Sequence, residues 1–215
     1  MNTKKIIITA FFGLFINAAI ANNSARIGYV SDFFYRGEQK AEESVQASVA
    51  FEKDLAGFKG SLKACTNQAV ESSVDSYNIK GGLSKSFADD LFSTYLGLNH
   101  FEDVAGEALS EVAVSVSYNS LLTPTLSVYR DLDDSLYTVE ASLSHALDLD
   151  FAKLALGGSI GNTEITNSLD RDYYSAGASL SKSIGAGELG LLIDYVDADN
   201  IEREFVFGSS LSFQF

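Results

Sequence analysis

From Ala25 onward, apolar and polar positions alternate along the chain with a period of two residues. About nine to twelve residues of alternation are followed by a break, and this unit occurs twelve times. Successive side chains of a β-strand point to opposite faces, so each unit predicts a strand with one apolar face. One representative of each apolar face, in chain order, is Ile27, Val49, Leu62, Ile79, Leu96, Val114, Leu126, Val139, Leu156, Ala178, Leu191 and Phe207.

The final unit, Glu202 to Phe215, predicts how the sheet closes. Counting back in twos from Phe215 gives mostly aromatic and aliphatic residues on one face and mostly small or polar residues on the other. A bare strand edge is an aggregation hazard in water and cannot exist in lipid, so this strand needs a neighbour on each side. The preceding strand and the first strand can supply both neighbours, which predicts a closed, all-β antiparallel barrel of about twelve strands.

The distribution of charge predicts that the apolar face contacts lipid. Asp, Glu, Lys and Arg are absent from the central part of this face and occur on it only near strand ends, as at Lys53, Lys85, Arg130 and Arg203. Lys or Arg at the lipid-facing midplane of a barrel costs roughly 2 to 4 kcal/mol, whereas a solvated sheet tolerates it. The opposite face carries charge freely, so the pattern predicts a transmembrane barrel with a polar interior.

The breaks alternate between short turns and generally longer polar loops, which is typical of outer-membrane barrels. The longer set includes Phe33 to Glu43 and Asn162 to Arg171. An even number of strands places both termini on the short-turn side, which we expect to be the periplasm. Outward aromatic residues then fall into two groups, one at each predicted membrane interface.

The first 21 residues predict a secretory signal peptide. Lys4 and Lys5 precede an apolar run, and Ala19-Ile20-Ala21 forms an A-x-A cleavage site. We therefore expect a signal peptide at residues 1–21 and a barrel domain at residues 22–215. Removing the signal peptide leaves 13 basic and 29 acidic residues, a net charge of -16. This balance argues against nucleic-acid binding.

The inward face suggests a wet lumen with charged groups on its wall. Small polar residues dominate the strands between residues 135 and 183, which fits an open or loop-narrowed lumen but also an inward-folded loop or tight coiling. Basic and acidic residues come from different strands, as expected for a transverse field in a pore or for an internal ion-pair network. The candidate pore-lining residues are Asp32, Arg36, Lys59, Lys63, Lys80, Glu111 and Glu140.

Asp32 and Arg36 share the inward parity and could pair at the mouth of the lumen, where they would bind a solute or pin the first loop. The acidic excess predicts a preference for cations over anions. The expected function is passive diffusion of small hydrophilic solutes, with a plugged structural or adhesion barrel as the alternative.

Catalytic and cofactor motifs are sparse. The chain has two histidines, His100 and His145, and no metal-ligand spacing, phosphate-binding glycine loop or G-x-S-x-G motif. Ser144 precedes His145 directly, so their side chains point to opposite faces and cannot form a nucleophile and base pair. We expect neither a cofactor nor enzymatic activity; a lipase-like barrel that depends on a histidine is the remaining catalytic alternative.

Residues 31–37, SDFFYRG, are similar to the SDYRFRG signature near the mature start of the TorF family, a group of Gram-negative outer-membrane porins of poorly defined function. Further similar segments follow in order along the mature chain, but Glu38-Gln39-Lys40 departs from the family pattern. The final strand ending in Phe215 resembles the assembly signal of outer-membrane barrels. These resemblances imply insertion by the barrel-assembly machinery, contact with outer-membrane lipid and lipopolysaccharide, and transit of small hydrophilic solutes.

Overall fold

The computed structural model describes residues 22–70, 75–105, 108–166, 168–199 and 201–215. The predicted signal peptide lies outside the described residues. Twelve strands account for most of this part of the chain, and no described helix is long and apolar enough to cross a membrane. The strands are β1 (Asn22–Tyr35), β2 (Glu38–Leu55), β3 (Phe58–Ala69), β4 (Ser76–Phe87), β5 (Phe92–Asp103), β6 (Ala108–Tyr118), β7 (Thr125–Asp131), β8 (Tyr137–Asp148), β9 (Lys153–Thr166), β10 (Leu169–Ile184), β11 (Gly187–Ala198) and β12 (Glu204–Gln214).

The sheet is a closed antiparallel barrel, which confirms the predicted fold. Each strand pairs with its neighbours in sequence, and β1 pairs with β12. In the closing register Ile27 lies opposite Leu211 and Ala25 lies opposite Phe213. The amide of Phe215 also donates to the Asn23 carbonyl at 3.1 Å, so the last residue is tied to the first strand. Closure removes both open edges of the sheet.

The outer surface is an apolar belt, as the sequence pattern predicts. Large aliphatic side chains stand exposed on it, and Ile27, Leu96 and Leu191 are 54%, 58% and 55% exposed. A continuous apolar surface of this kind is far larger than the patches of soluble monomers. Aromatic residues meet near its two borders, with Phe92 and Tyr118 rings 5.2 Å apart at one and Tyr195 and Phe205 rings 5.4 Å apart at the other.

We call the end that carries Asn22 and Phe215 the periplasmic end, following the orientation expected from sequence, and the opposite end the external end. Tight turns link strands at both ends. Ala56 and Gly57 have φ values of 50° and 89°, and Arg36 and Gly37 have values of 52° and 71°. Two consecutive residues with positive φ are typical of a type I′ hairpin turn.

The first and fifth external loops differ from the prediction. Strand pairing continues through 33–43, where Tyr35 lies opposite Glu38, and through 162–171, where Leu169 lies opposite Thr166. Neither segment shows one apolar face with a period of two residues, because the first hairpin lies within the lumen and the second carries polar residues on both faces, so the sequence pattern predicts loops there. The first of these hairpins determines the shape of the lumen.

Candidate functional site

The inner wall of the barrel is polar and is lined by many small side chains. Hydroxyl pairs link neighbouring strands on this wall, with oxygen separations of 2.8 Å for Ser115 and Ser127 and 2.9 Å for Ser159 and Ser175. Such groups interact with water while leaving space beside the wall. The lumen is therefore wettable where nothing else fills it.

The external end of β1 departs from strict alternation. The pairing of β1 with β2 shifts register between Phe33 and Phe34, a β-bulge. Phe33 pairs with Ala41 and Phe34 with Gln39, so the inserted residue is Lys40 of β2, and a bulge bends its strand. Arg26, Gly28, Phe33 and Tyr35 of β1 all line one internal cavity. Near the tip, residues of both parities, Tyr35 and Arg36, face the lumen because the hairpin turns into the barrel.

The tip of this hairpin, residues 30–44, crosses the lumen; we call it the inner hairpin. Arg36 Nη2 donates to Glu111 Oε2 at 2.6 Å, and Nη1 bonds the other carboxylate oxygen and donates to Thr138 Oγ1 at 3.3 Å. Its guanidinium also lies 4.0 Å from the centre of the Tyr129 ring. Glu111, Tyr129 and Thr138 belong to β6, β7 and β8. In a closed twelve-stranded barrel β7 lies opposite β1, so Arg36 spans from one wall to the other.

Contacts on both sides hold the inner hairpin. The Tyr35 ring stacks on Phe101 of β5 with centroids 5.0 Å apart, and Arg171 of β10 lies 3.4 Å from the carboxylate of Glu38. Gly37 packs against β10 and β11, where a Cβ atom would lie 2.6 Å from that of Tyr173. Only glycine combines this close approach with the positive φ of the turn.

The predicted pairing of Asp32 with Arg36 is not the arrangement that forms. Arg36 bonds Glu111, and Asp32 accepts a hydrogen bond from the Gln39 amide at 2.9 Å within the hairpin. The inward turn of the hairpin is the cause, because it carries Arg36 across the lumen to Glu111 while Asp32 stays beside Gln39 of the neighbouring strand. Of the two roles considered for Arg36, pinning the first loop matches these contacts.

The other candidate pore residues remain on the wall strands. Lys63 and Lys80 lie directly opposite each other on β3 and β4. Lys59 lies nearer the periplasmic end, 3.8 Å from Glu52. Glu140 on β8 accepts a hydrogen bond from the Tyr173 hydroxyl at 2.8 Å. Among the candidates, the lysines thus lie on β3 and β4 and the glutamates on β6 and β8, although Glu52 of β2 lies beside Lys59. The inner hairpin brings Arg36 to the side of the two candidate glutamates.

The inner hairpin divides the lumen. An external cavity of about 280 Å³ is lined by Arg36, Glu38 and Glu111, and an internal cavity of about 230 Å³ is lined by Arg26 and Lys63. Tyr35 and Phe101 line both cavities. Their stacked rings therefore form part of the partition between the external mouth and the rest of the lumen.

A second polar cluster lies on the outer face at the external end. His100 Nδ1 is 2.9 Å from Ser110 Oγ, His100 Nε2 is 3.3 Å from Glu102 Oε2, and Tyr77 donates to the same Glu102 oxygen. Sequence reasoning missed Ser110, which lies opposite His100 on the neighbouring strand. Serine is frequent in this chain, so only strand register could have identified it. Among the described residues, no three His, Cys, Asp or Glu side chains are placed to hold a metal ion.

Comparisons with known proteins agree with the fold. No protein-family model matches the chain, and no curated protein matches its sequence. Among solved structures, the KdgM porin in complex with disordered oligogalacturonate is similar at a TM-score of 0.60 and 10% identity, over 91% of this chain and 99% of that one.

Two other solved structures give similar values. An outer-membrane channel from Pseudomonas putida F1 has a TM-score of 0.60 at 10% identity, over 92% of this chain and 97% of its own. The NanC porin has a TM-score of 0.58 at 12% identity, over 89% and 98%. The chain thus has the fold of outer-membrane porins along nearly its whole described length.

Proposed function

We propose that this protein is an outer-membrane channel for the passive diffusion of small hydrophilic solutes, narrowed by its inner hairpin. The observation that carries the proposal is a closed barrel whose exterior is apolar and whose interior holds cavities lined by hydroxyl and charged groups. Twelve strands give a diameter between barrels filled by side chains and barrels with wide channels. The structural neighbours described as porins support the same role.

The proposal includes a preference for cations, supported by the net charge of -16 expected after removal of the signal peptide. Acidic residues at the external mouth, among them Asp131, Asp134 and Glu164, line the outer cavity and would concentrate cations there. We also propose membership of the TorF family, supported by the SDFFYRG segment, and insertion through the C-terminal strand into a lipopolysaccharide-containing membrane.

Recordings in a planar bilayer across a KCl gradient test the channel. We expect discrete conductance steps and a reversal potential that indicates cation preference. Changing Lys63 and Lys80 together to glutamate should strengthen that preference, because two positive charges on the lumen wall become negative. A reversal potential that stays constant would remove both lysines from the conduction path. Absence of any steps would favour the plugged structural or adhesion barrel.

Hydrolysis of lipid esters is a second candidate function, favoured by the Ser110, His100 and Glu102 cluster. Glu102 would orient His100, which would accept the Ser110 proton as the serine oxygen attacks an ester carbonyl carbon. The carbon–oxygen bond to the alcohol then breaks, and His100 returns the proton to the leaving alcohol. Water hydrolyses the acyl-serine, which releases a fatty acid. The cluster lies at the border of the apolar belt, where lipid ester groups are found.

Release of fatty acid from phosphatidylethanolamine in mixed micelles tests this second function. If it is present, Ser110→Ala and His100→Ala should each lower the rate by about a thousandfold or more. His145→Ala is the matched control, because His145 lies on β8 near the periplasmic end and should leave the rate unchanged. Wild-type protein that releases no more fatty acid than buffer would eliminate the function.

A further inference from the structure

Lys63 and Lys80 form a like-charge pair that the fold does not neutralise. They are direct cross-strand partners on the lumen wall. Among the described residues, neither ammonium has a carboxylate within ion-pair distance. Like charges directly opposite each other destabilise a sheet. A local arrangement that opposes stability is expected where function requires it.

Nearby acidic groups that could have compensated the lysines have other partners. Glu111, only 3% exposed, is bonded by Arg36 and by the Tyr35 hydroxyl at 3.3 Å. Glu140 is bonded by Tyr173. Glu52 lies 3.8 Å from Lys59. The positive charge of the pair is therefore directed into the lumen.

The pair borders a cavity of about 330 Å³ with further polar groups on its wall, including Asn99, Tyr95 and Tyr129. Asn99 is the cross-strand partner of Lys80 on its other side. The Tyr95 side chain lies over two glycines, where a Cβ on Gly82 would come within 2.4 Å of the ring and a Cβ on Gly97 within 2.1 Å of the hydroxyl oxygen. The ring is thus held against the wall. The cavity combines two ammonium groups with an amide and two phenol hydroxyls, and its one lining carboxylate, that of Glu52, lies 3.8 Å from the ammonium of Lys59.

We propose that Lys63 and Lys80 bind the carboxylate or phosphate of a small, hydroxyl-rich organic solute in transit. Two adjacent ammonium groups can share one anion, and the amide and phenols can hydrogen-bond to hydroxyl groups on the rest of the molecule. This inference rests on the proposed channel and adds a solute class to it. The contacts between the lysines and an anion act over a few ångströms, whereas charges farther apart than the Debye length of about 8 Å are largely screened. An anion-binding site inside the lumen is therefore compatible with a mouth that attracts cations.

Three related probes separate charge from shape: glucose, gluconate and glucose 6-phosphate. Binding to the detergent-solubilised full mature protein is measured by ligand-observed NMR, which does not require conduction. We expect gluconate and glucose 6-phosphate to bind at least about tenfold more tightly than glucose. Lys80→Gln should weaken gluconate binding by about tenfold or more, whereas Lys182→Gln, on the outer face, should have no effect.

The unfolding temperature of the same variants tests a purely structural role. Removing a repulsive charge should leave the unfolding temperature of Lys80→Gln unchanged or raise it. Equal binding of glucose and gluconate, or undiminished binding to Lys80→Gln, would overturn the inference, as would a fall in unfolding temperature that matches the loss of binding. If gluconate and glucose 6-phosphate bind with different affinities, the tighter ligand shows whether the lysines prefer a carboxylate or a phosphate. Binding without conductance in bilayers would refute the channel but retain the site.

Discussion

Arg36→Ala is expected to raise the single-channel conductance severalfold. Arg36 joins the inner hairpin to the opposite wall through Glu111 and Thr138, and its side chain is only 10% exposed. Removing one partner of a buried ion pair costs about 3 to 5 kcal/mol. A loss of about 3 kcal/mol changes the ratio of inward to displaced hairpins by more than about a hundredfold. Displacement also returns Glu111 to water, which favours the open form.

Planar-bilayer recordings of three variants make this prediction specific. Arg36→Lys keeps the charge but loses the two-pronged contact with the carboxylate, so an intermediate conductance is expected. Arg130→Ala is the matched control, because this arginine lies on the outer face near Tyr137, 5.7 Å from the ring centre. If Arg36→Ala conducts like the wild type, the hairpin does not limit the channel, or other contacts hold it in place.

Val114→Arg is expected to destabilise the barrel by about 2 to 4 kcal/mol, the cost of arginine at the lipid-facing midplane. Val114 lies near the middle of β6, is 48% exposed, and has Leu96 and Val128 as its cross-strand partners. An arginine there would have to place its charge in hydrocarbon or reach the interface. The urea midpoint of the protein folded into lipid vesicles measures the effect.

Ser115→Arg is the control for this substitution, since it introduces the same side chain one residue away on the opposite face. Ser115 bonds Ser127 across the lumen wall at 2.8 Å, so its replacement costs about 1 kcal/mol for the lost hydrogen bond. The new charge can reach lumen water. Equal destabilisation by the two substitutions would contradict the assignment of the outer face to lipid.

The inner hairpin links the two channel proposals. It narrows the external end of the lumen, where the stacked Tyr35 and Phe101 rings border the internal cavity that Lys63 also lines. A solute that approaches Lys63 from the external cavity meets these rings. The Arg36 variants therefore test access to the site, and the Lys80 variant tests affinity at the site.

The sequence by itself determined the barrel, because alternation with period two is a local property that each strand carries. Ile27, Val114 and Phe207 could be assigned to the outer face, and the pairing of the last strand with the first could be predicted, from the requirement that no edge remain bare in lipid. Lys59, Lys63 and Lys80 could likewise be assigned to the inner face by parity alone.

Only the tertiary structure decided what crosses the lumen and what meets across strands. A one-residue shift of register between Phe33 and Phe34 accompanies the inward turn of the hairpin, and the local sequence contains no distinct sign of it. The partner of Arg36 is 75 residues away in the chain, and Ser110 meets His100 only through strand register. Periodicity specifies the face of a residue, whereas contacts between faces depend on barrel closure and register, which are properties of the whole chain.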